Sequence, residues 1–84
     1  MELKDTIEDM LSSDYKKRFL AEYNQLAIRT VKLKTFIQQY KTNSLNCIPT
    51  CPISTLESQL NYMENYLRLL TVRANLEDIQ LNDN

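Results

Sequence analysis

The sequence predicts an all-α protein: a short N-terminal helix, then a long antiparallel helical hairpin that assembles into an oligomeric helical bundle. Two observations carry this. Inner positions recur every three or four residues along two stretches of matching length, which is the spacing of a helix laid along another helix. The 84 residues also contain no Gly and only two Pro. A chain without Gly has few ways to make the tight positive-φ turns of a hairpin-rich β protein. At this length it forms a single domain, 1–84, with a modest core that association would enlarge.

The expected N-terminal helix spans 1–12. Leu3, Ile7, Met10 and Leu11 fall on one face, with Asp5, Glu8 and Asp9 on the other. Too short to hold its shape alone in water, it must dock on its own hairpin or on a neighbour. Ser12, Ser13 and Asp14 break it and can cap the next helix. The second helix spans 14–42 and lays Phe19, Tyr23, Leu26, Thr30, Leu33, Ile37 and Tyr40 along its seam. Pro49 and Pro52 punctuate a connector, 43–52. The third helix spans 53–81, with Ser54 or Thr55 as cap and Glu57 at capping-box spacing from Ser54. Its seam is Ile53, Leu56, Leu60, Met63, Leu67, Leu70 and Ala74, then Glu77 out of character, then Leu81.

Leu20, Ile28, Val31, Leu69, Val72, Leu76 and Ile79 lie off the seams. The first helix can cover some of them. A second copy is the simplest cover for the rest.

The net charge of −1 gives no global pull toward nucleic acid or a membrane. Its distribution is uneven, with a basic central helix between two acidic ends, and this favours pairing inside the molecule. With Tyr40 opposite Thr55, Arg18 is expected to meet Glu77, Glu22 to meet Arg73, and Arg29 to meet Tyr66. DNA or RNA binding through Lys16–Arg18 with Lys32 and Lys34 is disfavoured, because such domains carry strong positive charge. No stretch approaches the roughly 20 apolar residues of a membrane span, and no secretory leader is expected. The default compartment is the cytoplasm, where Cys47 and Cys51 stay reduced. Their C-x3-C spacing is half a zinc site, which two chains could complete, and reduced thiols are the expected state.

The chain has no His, so the usual general base is missing. Without Gly it has no phosphate-cradling glycine loop. No enzyme activity, cofactor or metal is expected. Beside the seams, Tyr15, Lys16, Arg18, Arg29, Tyr62, Tyr66, Arg68 and Arg73 form a basic and aromatic set. Arg forks bind phosphate and Tyr faces stack on bases, so these eight are the candidate ligand-binding residues. The alternative is that they only set the register of the hairpin.

The run from Asp14 through Leu26, Asp-Tyr-Lys-Lys-Arg-Phe-Leu-Ala-Glu-Tyr-Asn-Gln-Leu, with Arg29, resembles the opening of a small helical protein family. That family occurs in phages and prophages of gut Firmicutes and in crAss-like phages. Pro49-Thr50-Cys51-Pro52 with Leu56, Gln59, Met63, Tyr66, Leu67, Arg73 and Ala74 resembles its second motif. In size and helix layout such proteins are similar to phage sponges that disarm nucleotide-signalling defences of the CBASS and Thoeris types. The resemblance implies a homo-oligomer in the cytoplasm of an infected bacterium that traps a small anionic nucleotide, cyclic or otherwise. A host or phage protein is the alternative partner.

Overall fold

The computed structural model describes residues 1–45 and 49–81. Their regular structure is all helical: a 3-10 turn at Leu3–Thr6, α1 at Ile7–Met10, α2 at Tyr15–Lys41 and α3 at Ile53–Leu76. Among the described residues there is no strand.

The opening segment departs from the expected face. Thr6 is its buried side chain and Leu3 is half-buried, whereas Ile7, Met10 and Leu11 are exposed. The cause is geometric. At three residues per turn, a 3-10 segment aligns positions three apart, so Leu3 and Thr6 share one side. The Thr6 hydroxyl donates to the Leu3 carbonyl (2.7 Å) and accepts from Gln25 Nε2 of α2 (2.9 Å). Gln25 Nε2 also lies 3.4 Å from Met10 Sδ. Among the described residues, the opening turn and α1 pack on α2 and not on α3.

α2 starts where Asp14, in extended conformation, accepts the Lys16 N–H on its side chain (3.0 Å), satisfying one of the donors every helix start leaves open. Its other end is a Schellman closure. The N–H of Asn43 reaches the Tyr40 carbonyl and that of Ser44 the Gln39 carbonyl. Asn43 takes φ 59°, the left-handed conformation that Gly usually supplies.

α3 starts at Ile53 with a different cap from the expected one, and it ends before its expected bound. Its cap is Pro52, whose carbonyl accepts the N–H groups of Thr55 and Leu56, and not Ser54 or Thr55. Its C-cap is Glu77, followed by Asp78 at φ 57°. The N–H of Ile79 then turns back to the Ala74 carbonyl (2.8 Å), and Ile79 drops into the core beside Ala74. The helix therefore stops five residues before Leu81, because the reversal buries an isoleucine that a continuing helix would leave outside. Asp is strained in this conformation and adds negative charge at a helix C-terminus. Asp78→Gly is expected to stabilise the fold by about 0.5–1 kcal/mol, read as a higher urea midpoint at unchanged slope.

The two seams hold. Phe19, Leu26, Thr30 and Ile37 of α2 and Leu70 and Ala74 of α3 are buried, and the other seam residues before Glu77 are half-buried. Phe19, Leu26, Leu70, Ala74 and Ile79 form one cluster, with Leu20, Tyr23, Met63, Leu67 and Leu81 packed against it. Lys41, at the end of α2, pairs with Glu57 near the start of α3 (2.7 Å). Tyr15, at the start of α2, bonds Glu77 at the end of α3 (2.7 Å). No helix among the described residues is long and apolar enough to cross a membrane.

Candidate functional site: an Arg–Tyr–Glu cluster and a polar groove

The three pairs expected across the helices do not form. Arg18 donates to the Ser12 carbonyl (3.0 Å) and so ties α2 to the opening segment. Glu77 is taken by Tyr15, one turn earlier on α2 than Arg18. Glu22 accepts from Tyr66 and not from Arg73. Arg29 has no partner for its charge among the described residues. The expectation treated facing positions as point contacts. Tyr15 and Tyr66 reach further than the spacing rule allows and take the carboxylates first.

A closed cluster results. Tyr15 Oη donates to Glu77 Oε1 (2.7 Å), Arg73 Nη2 donates to Tyr15 Oη (2.7 Å), and Arg73 Nε donates to Glu77 Oε2 (3.2 Å). The guanidinium carbon lies 5.0 Å from the centroid of the Phe19 ring, a cation–π position. The Tyr15 ring leans on Phe19 at 6.3 Å between centroids. Lys16 Nζ reaches the Asp78 carbonyl (3.3 Å), where the end of α3 leaves acceptors open. The buried face of Phe19 anchors the cluster, and its polar tips stay exposed.

These bonds favour particular charge states. The Tyr15 hydrogen bond, helped by Arg73, holds the Glu77 carboxyl below its ordinary range. The bond to Glu77 pushes Tyr15 up, and the bond to Glu22 pushes Tyr66 up. The bond to Glu77 also raises Arg73, so it stays charged at any ordinary pH. A lowered carboxyl lends stability above its ordinary value and loses it as pH falls through the lowered one. A raised phenol lends stability below its ordinary value and loses it as pH rises through the raised one. The urea midpoint is therefore expected to be flat from about pH 5 to 9 and to fall on both sides. Glu77→Gln should make the acid decline shallower; an unchanged acid limb would show that the cluster contributes nothing there.

The eight predicted residues are thus divided. Tyr15, Lys16 and Arg73 meet at one end of the helix pair, with Arg18 one turn along α2 and Tyr66 two turns along α3. Arg29 and Tyr62 stand apart and exposed. Arg68 lines another feature, an open groove of about 400 Å³ with Tyr23, Lys34, Glu64 and Thr71. A neighbouring hollow of about 350 Å³ shares Lys34 and Glu64 and adds Lys41 and Glu57. The groove was not foreseen. Tyr23, Thr30 and Lys34 stand seven and four residues apart, so they share a face, and that spacing was the available signal. Glu77 and Phe19 were also missed as site residues. A charge on a seam position was the clue to the first.

Cys51 is half-buried, while Cys47 lies outside the described residues, so the C-x3-C pair is not described as a pair. Among the described residues no cluster of potential ligands could hold a metal.

Fold and site together define a small all-helical chain that presents an arginine, two tyrosines and their carboxylates on one exposed patch. The chain belongs to the Sequestin family, whose model matches residues 13–76. That span covers α2 and α3 and leaves out the opening segment. The family name points to a sequestering role without saying what is held. No curated protein and no solved structure matches the chain.

Proposed function

We propose that this protein sequesters a small anionic nucleotide, cyclic or otherwise, by binding alone, as a phage counter-defence protein that removes an immune signalling molecule. It works as a homo-oligomer of antiparallel helical hairpins in the cytoplasm of the infected host. The observation that carries this is the Arg73 cluster. Tyr15 and Glu77 take two of the five guanidinium donors, and Phe19 backs the group. The remaining N–H groups are available to a phosphate in a fixed orientation. Tyr15 and the nearby Tyr66 supply exposed rings of the kind that stack on bases. Lys16 and Arg18 add positive potential at the same end, Arg29 adds it further along α2, and Arg68 with Lys34 adds it in the groove. The Sequestin family supports the sequestering part of this reading.

The test is native mass spectrometry of protein purified from cells with active cyclic-nucleotide signalling, before and after heating. The expected result is an oligomer carrying extra mass that heat releases as a nucleotide. Bare protein, even after incubation with a panel of cyclic nucleotides, would overturn the proposal. The second reading, a helical module that binds a host or phage protein, draws on the exposed apolar residues Val31, Leu69 and Leu76. A pull-down returning one stoichiometric protein and no nucleotide would favour it.

A further inference from the structure

α3 turns one face to the core and leaves the opposite face uncovered. On that outer face lie Tyr62, Leu69 and Leu76, exposed by 72%, 62% and 81%, flanked by Tyr66 and Val72. Neither the opening turn nor α1 reaches it. Ser58 and Asn65 complete the face, so it carries no charge along its centre line, and Arg73 stands at its edge.

The order of these residues is symmetric. Tyr62 and Leu76 each stand seven residues from Leu69, and Tyr66 and Val72 each stand three away. An isologous contact between two antiparallel helices pairs each position with its mirror about the centre. Centred on Leu69, such a contact sets Tyr62 on Leu76 and Leu69 on itself, with the Tyr66 side chains along one edge and the Val72 side chains along the other. At each Tyr62–Leu76 pair a large ring meets a smaller aliphatic group, which is how close packing is reached. The two Arg73 side chains then stand eight residues apart along one edge, about 12 Å at 1.5 Å per residue.

Five side chains at these exposures present on the order of 500 Å² per copy, or about 1,000 Å² for two, which reaches the lower bound for a specific interface. The same register places Arg73 of one copy within a turn of Tyr66 of the other, on the same edge of the contact.

We propose that two copies associate through α3 against α3, antiparallel and centred on Leu69, and that each copy completes the Arg73 cluster of the other with its Tyr66. This rests on the proposed homo-oligomer and names its surface. The bound ligand then meets two guanidinium groups and two extra rings related by a two-fold axis, an arrangement suited to a nucleotide with two phosphates.

The experiment compares wild type, Leu69→Glu and two cysteine probes by sedimentation at 10–100 μM (about the range where weak dimers show). Wild type is expected at about twice the 9.9 kDa chain mass. Leu69→Glu is expected at the chain mass with its helical circular dichroism retained. In a background with Cys47 and Cys51 replaced by Ser, Leu69→Cys should oxidise rapidly to a disulfide dimer, while Val31→Cys on α2 should not. A monomeric wild type, or an assembly of any size that Leu69→Glu leaves intact, would overturn the proposal. Nucleotide retention is scored separately on the same samples. Dimers that depend on Leu69 but hold no nucleotide would support this interface and defeat the functional reading. Nucleotide held equally by a dimeric wild type and a monomeric Leu69→Glu would support the functional reading and overturn the claim that each copy completes the other's cluster.

Discussion

Leu70→Ala is expected to cost about 2–5 kcal/mol of folding stability, measured from urea unfolding. Leu70 is 1% exposed at the centre of the cluster of Phe19, Leu26, Ala74 and Ile79. Its loss removes the transfer energy of the side chain and leaves a cavity. A chain this size holds about 4–12 kcal/mol in all, so the variant should be partly unfolded at 37 °C or lose most of its margin. The neighbouring Leu69→Ala is the control. Leu69 is exposed, so truncating it should move the folding of a single chain by less than about 0.5 kcal/mol. Equal losses at the two positions would mean that the helix is rotated about its axis from the orientation described.

Arg73→Ala is expected to weaken nucleotide retention by about 10- to 100-fold, the equivalent of the 1.5–3 kcal/mol that a hydrogen bond to a charged group supplies. Arg73→Lys should recover little, because lysine keeps the charge but loses the planar fork and the stacking on Phe19. Arg29→Ala should act in the same direction and more weakly, since Arg29 brings charge without a built setting. Competition binding with the nucleotide recovered from the purified protein measures all three. If Arg73→Ala and Arg29→Ala leave both ligand release and protection of infected cells unchanged, the ligand sits elsewhere, and the groove with Lys34 and Arg68 becomes the next place to substitute.

The seam was legible because a heptad is a statement about distance along a helix, and helix geometry is rigid. From Phe19 to Ile37 and from Leu56 to Ala74 every periodic residue is buried or half-buried. The ends were less legible. A Gly would have marked them, but this chain gives those positions to Asn43 and Asp78, whose left-handed backbone looks like any polar residue in sequence. The cross-helix pairs were the least legible part. Pairing Arg18 with Glu77 assumed that charge seeks charge at equal height. Tyr15, one turn nearer the start of α2 and carrying a neutral donor, meets Glu77 instead, and Arg18 bonds the Ser12 carbonyl. Residue types at the candidate site were thus readable, and their partners were not, because reach and competition are three-dimensional properties. The opening segment failed for another reason: a 3.6-residue period was applied to a stretch that begins with a period of three.

The attachment of the opening segment to α2 alone also sets how the sequence can drift. A change at Thr6 is felt at Gln25 and in the packing along that side of α2. A change on the outer face of α3 is felt by neither. α2 is therefore the element on which two otherwise independent sets of substitutions must agree. Compensating pairs are expected between residues 1–12 and α2, and between α2 and α3, with none linking the two ends of the chain directly.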